Sequence, residues 1–463
     1  MSKETEEREA EQEEGRPWDS VRKLLESAGS EELQSFLQGL TPADRVLSIS
    51  RLSEAERLDL IQRLDPNAAA DLVESIPDAQ SLEVLGHLEP EVSAAILDQL
   101  QSDEQADVLG DLPPEEAEAI LQEMRPELAH RARALRRYAN DVAGGLMVKE
   151  YLTIPRHFRV ADVIAELRRR SDEFRTYGVQ YAYVTGRRQR LVGVLRLRDL
   201  LLSHPDRLSR DLMQADPVSV RDTAKLDEVH ALFESTSFFG IPVVNASGRL
   251  VGVVTRAAVE AARAERSDAD YLKSQGIVGE EIRSMPMFLR SRRRLSWLSI
   301  NIVLNIVAAS VIAAYQDILA AVIALAVFLP IISDMSGCSG NQAVAVSMRE
   351  LALGIVRPAE VWRTWRKELA LGAVNGSVLG ALVGLAAWVW QGNPYLGLVV
   401  GAALTLNTVV AVSIGGTVPL LLRRFGVDPA LASGPILTTI TDMCGFFLLL
   451  SIAGLLLPQL ATG

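Results

Sequence analysis

The sequence predicts a multidomain membrane protein with three parts: an all-α superhelical N-terminal domain, an α+β tandem module, and an α-helical domain of five transmembrane helices. Three patterns in its 463 residues carry that reading. A twelve-residue repeat runs from Leu40, two β-rich units each end in Leu-Val-Gly-Val (from Leu191 and Leu250), and apolar stretches fill the last third. A chain this long exceeds what one hydrophobic core supports. Its net charge of −12 excludes a nucleic-acid partner as the natural reading. Both cysteines, Cys338 and Cys444, fall in apolar stretches, which leaves no disulfide framework.

Residues 1–16 are charged and Glu-rich with no apolar run, unlike a signal peptide, and read as a disordered acidic tail. Residues 17–146 read as the helical-repeat cytosolic domain. The period shows in Leu40-Thr-Pro-Ala-Asp, Leu52-Ser-Glu-Ala-Glu, Leu64-Asp-Pro-Asn-Ala and their successors at Ile76, Leu88, Leu100 and Leu112. A Ser, Thr or Asp ahead of Pro and acids is a helix start, because its oxygen caps free N–H groups. One such helix cannot bury its apolar face alone, so neighbours stack into a superhelix. Exposed acids on it are candidate ligands across a domain interface.

The middle module divides at 147–210 and 211–265. Each unit reads strand, helix, strand, strand, helix, with helices over Val160 to Arg169 and Lys225 to Glu234. β-Branched runs and polar turns before Leu-Val-Gly-Val fit hairpins. Residues 266–295 read as a linking helix on the membrane surface, with Asp268, Asp270, Glu280 and Glu281 first and Arg290 to Arg294 last.

The membrane domain, 296–463, offers five stretches: Leu298 to Tyr315, Ile318 to Ile332 with a continuation past Gln342, Leu369 to Trp390, Tyr395 to Leu422, and Ala430 to Leu457. About 20 residues cross a hydrocarbon core. Basic residues past Leu295 are confined to Arg349, Arg357, Arg363, Arg366, Lys367, Arg423 and Arg424. With five spans these share one side with Arg290 to Arg294. The positive-inside rule makes that side cytoplasmic, with the N-terminus, and puts the C-terminus outside an inner (plasma) membrane.

Two acids interrupt this apolar third. Asp334, Cys338, Asn341 and Ala345 are spaced four, three and four, so they share a helix face. Gly337 and Gly340 permit bending and close approach near them. Thr438, Asp442 and Gly445 form a similar face on the last stretch. A carboxylate at membrane depth costs about 2.5–3.5 kcal/mol unless it faces protein, water or a cation. No Lys, Arg or His lies at that depth, and His87, His130, His157, His204 and His230 all precede it. The missing counter-charge points to a transported cation. Carboxylate, amide and hydroxyl oxygens suit magnesium or calcium, whereas zinc and nickel recruit imidazole or thiolate. Cys338 and Cys444 keep a softer metal open. A coupled transporter for another divalent ion such as cobalt uses the same acids. An intramembrane aspartyl protease is the enzymatic alternative, but neither acid sits in a Gly-x-Gly-Asp setting and no His-Glu-x-x-His occurs.

The β-rich pair resembles the tandem CBS module, named after cystathionine β-synthase, through its two Leu-Val-Gly-Val endings. That resemblance implies adenine-nucleotide (ATP) binding, with a Thr or Ser and an Asp on the ribose. Here the pattern is split: Asp199 stands with Arg196 where the hydroxyl belongs, and Thr255 with Ala258 where the acid belongs. The order of parts, Pro330 ahead of Ser336-Gly337-Cys338-Ser339-Gly340-Asn341-Gln342, and Thr441-Asp442 resemble the MgtE family of magnesium channels. The resemblance implies that Asp442 binds hydrated magnesium in a pore at a homodimer interface. It also implies that the linking helix is a plug, and that magnesium held among the soluble domains closes it. Two departures stand out. Cys338 replaces a pore-side amide and Asp334 a small residue. The second unit lacks the family's acids, so closure by magnesium is either weaker or rests on Asp268, Asp270, Glu280 and Glu281 as regulatory ligands.

Overall fold

The computed structural model describes residues 16–461 apart from 28, 172–179, 278–280, 282–284 and 286, so the tail over residues 1–15 lies outside it. The chain divides into two compact units, residues 1–266 with 282–285 and residues 267–281 with 286–463.

In the first unit the repeat becomes short helices: α1 Pro17–Ser27, α2 Ser30–Gly39, α3 Pro42–Ser50, α4 Glu54–Arg63, α5 Pro66–Ser75, α6 Asp78–His87, α7 Pro90–Leu97, α8 Ser102–Asp111, α9 Pro114–Glu123 and α10 Pro126–Leu135. Their starts follow the capping logic. Thr41 accepts from Asp44 N, Ser53 and Glu56 form a capping box, and Asp65 accepts from Asn67 N and Ala68 N. The repeat residues Leu64, Ile76, Leu88 and Leu112 end helices in extended backbone and bury their side chains. From α4 onward each helix packs on the next but one, α4 on α6, α6 on α8, α8 on α10, α5 on α7 and α7 on α9. Pairs such as Leu60 and Ile61, Val84 and Leu85, and Ile96 and Leu97 therefore share one continuous core. Arg57, only 2% exposed, is held by Leu52 O at 3.1 Å and Glu83 at 2.8 Å.

The α+β part holds β1 Met147–Val148, β2 Leu152–Pro155, α11 Val160–Arg169, β3 Tyr181–Thr185, β4 Leu191–Arg196, α12 Leu197–Leu201, α13 Ser209–Leu212 and β5 Gln214–Ala215. It continues with β6 Val220–Arg221, α14 Leu226–Glu234, β7 Gly240–Val244, β8 Leu250–Thr255 and α15 Arg256–Ser274. The sheets run β2-β3-β4-β5 and β1-β8-β7-β6. Each has a parallel pair followed by an antiparallel hairpin, with a bulge at Val184/Thr185 and at Val243/Val244. The fourth strands are exchanged: β1 opens the 147–210 half yet pairs with β8, and β5 opens the 211–265 half yet pairs with β4. This crossing explains the glycine in both Leu-Val-Gly-Val motifs. A Cβ on Gly193 would collide with Met213 Sδ, and one on Gly252 with Met147 Sδ.

The second unit contains α16 Met287–Ala314, α17 Gln316–Ala321, α18 Leu325–Ala352, α19 Val361–Gln391, α20 Pro394–Arg424, α21 Pro429–Leu455 and α22 Leu457–Ala461. Helix α20 is its centre and touches α18, α19 and α21. Buried Gly372, Gly376, Gly380 and Gly384 on α19 let that helix approach α20, as small residues do in membranes.

One expectation is met in part and one changes. Among the described residues, four helices rather than five are long and apolar enough to span a membrane: Met287–Ala314, Pro358–Gln391, Pro394–Arg424 and Gly434–Leu455. The other expected span is α18. Its 28 residues reach about 42 Å, but Asp334, the Ser-Gly-Cys-Ser run, Asn341 and Gln342 lower its apolarity. The linking helix over 266–295 is also not one element. Helix α15 carries straight through residue 266, and its exit turn contains Gly276 at φ +79°, where Trp297 leaves no room for a Cβ. Arg290 to Arg294 belong to the start of α16.

Candidate pore site

The site forms where α18, α20 and α21 meet. Asp442 on α21 is 8% exposed, and its carboxylate accepts from the Ser333 hydroxyl on α18. The backbone beside it is pinned by α20, where Asn407 Nδ2 donates to Thr441 O at 3.1 Å. Gly445 faces the same contact, since a Cβ there would lie 2.7 Å from Asn407 Nδ2. Ser336 Oγ, Asn407 Oδ1 and Thr408 Oγ1 are buried without hydrogen-bond partners among the described residues. Orphaned polar groups at this depth are costly, and they line helices that otherwise bury apolar surface. Reading the sequence alone misses Ser333 and Asn407. A signal for Asn407 does exist there, as an amide following the apolar run Leu404-Thr405-Leu406.

The predicted stripe on α18 is present as a face. Asp334, Cys338, Asn341 and Ala345 are all exposed, and Cys338 Sγ lies 4.0 Å from Asp334 Oδ1. Gly337 has open space around its Cα. Gly340 is not part of that open face. It is buried, and a Cβ there would lie 2.9 Å from Leu437 and 3.1 Å from Ala411 O, while Gly415 closes on its carbonyl, so it is a packing residue. Thr438 parts from Asp442: it is exposed and donates to Gly434 O at 3.1 Å, whereas Asp442 and Gly445 are buried.

A cavity of about 580 Å³ brings Asn341 and Thr438 together with the end of α15, through Asp270, Tyr271, Ser274 and Gln275, beside Trp297 and Asn301. Lys273 fastens this end, 3.8 Å from Asp270 and 3.1 Å from Asp428, the residue that caps α21. The four acids expected to be regulatory ligands do not stay together. Asp268 is exposed and Asp270 lines the cavity. The Glu281 side chain is 2% exposed and bound by Arg290 at 3.2 Å and by Arg294, whose guanidinium groups hold its carboxyl below the usual range. With both arginines on it, this carboxylate is paired rather than free. Glu280 lies outside the described residues. Among the described residues no group of three His, Cys, Asp or Glu is assembled to hold a metal.

In the first unit α8 gathers acids of its own. Burial pushes Asp103 up to about 6 and, with Asp103 and Asp111 beside it, Asp107 up to about 7. Burial and Glu74 likewise push Glu104 up. The predicted nucleotide residues do not converge. Thr255 lines a cavity of about 260 Å³ with Glu150, Tyr151, Tyr181, Tyr183 and Phe239, and its hydroxyl accepts from Ala258 N at 3.1 Å. Asp199 is absent from that lining and lies 3.7 Å from Arg198.

Comparison with known proteins gives three family matches: MgtE, a divalent cation transporter family, over residues 329–452; the MgtE intracellular N domain over 40–141; and CBS domains over 141–204 and 209–264. The magnesium transporter MgtE of Thermus thermophilus is 35% identical over 337 residues, 72% of this chain and 74% of that one. That of Bacillus subtilis is 32% identical over 319 residues, 69% and 70% of the two chains. That of Enterococcus faecalis is 30% identical over 329 residues, 71% and 72%.

Proposed function

Since the chain belongs to the MgtE family of divalent cation transporters, we propose that its membrane unit conducts magnesium as a hydrated ion past Asp442. The observation that carries this reading is the Asp442 carboxylate itself. It is 8% exposed, it accepts from a neutral hydroxyl, and the apolar stretches contain no Lys, Arg or His. A cation supplies the missing charge. Magnesium releases its water reluctantly, so a carboxylate aided by the oxygens of Ser333, Thr438 and Asn341 suits an ion that keeps its hydration shell.

The exposed stripe of Asp334, Cys338 and Asn341 supports a homodimer in which a second copy completes the path. Helix α18 serves as the fifth crossing, with its polar face turned from lipid. The distribution of basic residues supports a cytoplasmic N-terminus and a C-terminus outside an inner membrane. The end of α15 acts as the plug, with Asp270 at the cavity and Lys273 as its fastening. Divalent cations that neutralise acids such as Asp103, Glu104 and Asp107 favour the closed state. ATP at the CBS module rests on Thr255 and its aromatic cavity, without Asp199.

Magnesium flux into proteoliposomes of the full chain tests this, with cobalt, calcium and sodium as competitors and magnesium varied on the soluble side. Uptake that falls as soluble-side magnesium rises is the expected result, and absence of magnesium uptake refutes conduction. One observation favours a second reading, the exposed sulfur–carboxylate pair of Cys338 and Asp334. If that pair selects a softer ion such as cobalt, the Cys338→Ser variant shifts preference toward magnesium.

A further inference from the structure

The basic residues near the membrane surface are not equivalent. Arg290 and Arg294 at the start of α16 are committed to Glu281. The corner between α18 and α19 differs. Arg349, Arg366 and Lys367 are exposed and make no ion pair with any described residue, while Arg363 reaches Glu360 at 3.5 Å from an exposed position. Glu360 is occupied further by the Arg357 backbone N–H at 3.0 Å. The corner's other acids, Glu350 and Glu368, leave an excess of positive charge.

The same corner exposes large apolar side chains: Leu353, Ile355 and Trp362, the last 67% exposed. Gly354, at φ +67°, makes the turn that presents the first two. Trp362 stacks on Trp365 with centroids 4.8 Å apart and planes at 20°. Water is a poor neighbour for that surface, and a bare hydrocarbon interior is a poor neighbour for Arg366 and Lys367. Stacked indoles beside unpaired guanidinium and ammonium groups match the headgroup layer, where indoles settle and phosphates accept bidentate hydrogen bonds from Arg.

We propose that the α18–α19 corner is a binding surface for anionic phospholipid, with Arg363, Arg366 and Lys367 on the phosphate and Trp362 and Trp365 against the glycerol and upper acyl region. The position matters for conduction, because the corner begins at the end of α18, the helix that carries Ser333, Asp334 and Asn341. Lipid charge at this corner acts on the pore helix through its own C-terminal turn.

The test uses the full chain in phosphatidylcholine vesicles with and without phosphatidylglycerol, and measures association of spin-labelled phosphatidylglycerol relative to spin-labelled phosphatidylcholine. The wild type is expected to prefer the anionic lipid, and each of Arg363→Gln, Arg366→Gln and Lys367→Gln to lower that preference about fivefold at low salt. Arg363→Lys with Arg366→Lys keeps the charge and retains most of it. Added salt weakens it in the unmutated protein, a result independent of any folding defect. Equal preference in wild type and the triple Gln variant overturns the proposal. So does full competition by soluble glycerol phosphate, which makes the occupant a free phosphate. Efficient self-crosslinking of Trp362→Cys also overturns it, because a second protein copy then covers the corner.

Discussion

Replacing Asp442 by Asn removes one charge and almost no volume, so it isolates the electrostatic role of the site. The Ser333 hydroxyl still finds an acceptor in the Asn carbonyl, and the α18–α21 contact is kept. At an effective dielectric constant of about 20, a divalent ion about 5 Å away is attracted to the carboxylate by roughly 7 kcal/mol. Retained water and nearby dipoles reduce the net value, but even about 2 kcal/mol is roughly thirtyfold in ion occupancy. Folding moves the other way. A carboxylate 8% exposed, with a neutral partner, is costly to desolvate, and the amide is not, so thermal stability in detergent stays equal or rises. The assay is magnesium entry into liposomes read with an internal fluorescent indicator, beside a melting curve of the same preparation. Loss of at least about thirtyfold in flux with an unchanged or higher melting point supports the pore assignment. Flux equal to wild type at sub-saturating magnesium refutes it.

Three further outcomes follow from the packing and charges. Gly380→Ala drives a Cβ into Thr405 Oγ1 and Gly401 O, so α19 is forced from α20 and stability falls by about 1–3 kcal/mol, whereas Gly337→Ala, in open space, leaves the melting temperature unchanged. The acids of α8 have raised folded-state pKa values, Asp103 about 6 and Asp107 about 7 against an ordinary 3.8. Their favourable contribution is complete below about pH 4 and is lost as pH rises through 6–7, by up to about 3 kcal/mol for Asp103. Hydrogen exchange on the full chain should therefore show α8 less protected at pH 8 than at pH 5 and reprotected by magnesium; protection independent of both contradicts the cluster's role. Lys273→Glu breaks the contacts to Asp270 and Asp428 and replaces them by repulsion. Because the pair is partly exposed, the magnesium needed for closure rises only about fivefold or less, measured as flux against soluble-side magnesium.

Local chemistry is legible where it repeats along the chain. The twelve-residue spacing of Leu64, Ile76, Leu88 and Leu112 predicts helix ends, because capping and helix stops depend on neighbours in sequence. The α11 helix and both Leu-Val-Gly-Val hairpins are likewise readable. The boundaries of the linking helix are not, because the acids Asp268 and Asp270 that open the stretch make no break in helical backbone, and α15 passes through residue 266.

By itself the sequence determined the three kinds of domain, the acids Asp334 and Asp442 and the absence of any base to neutralise them, since composition and period need no folding to be counted. Only the tertiary structure decided that Glu281 is tied by arginines, that Gly340 packs while Gly337 is open, and that Asp442 is met by Ser333 and its backbone by Asn407. Most of those facts depend on which side chains meet across helices far apart in the chain. Helical periodicity tells which residues share a face, but packing alone tells what that face touches.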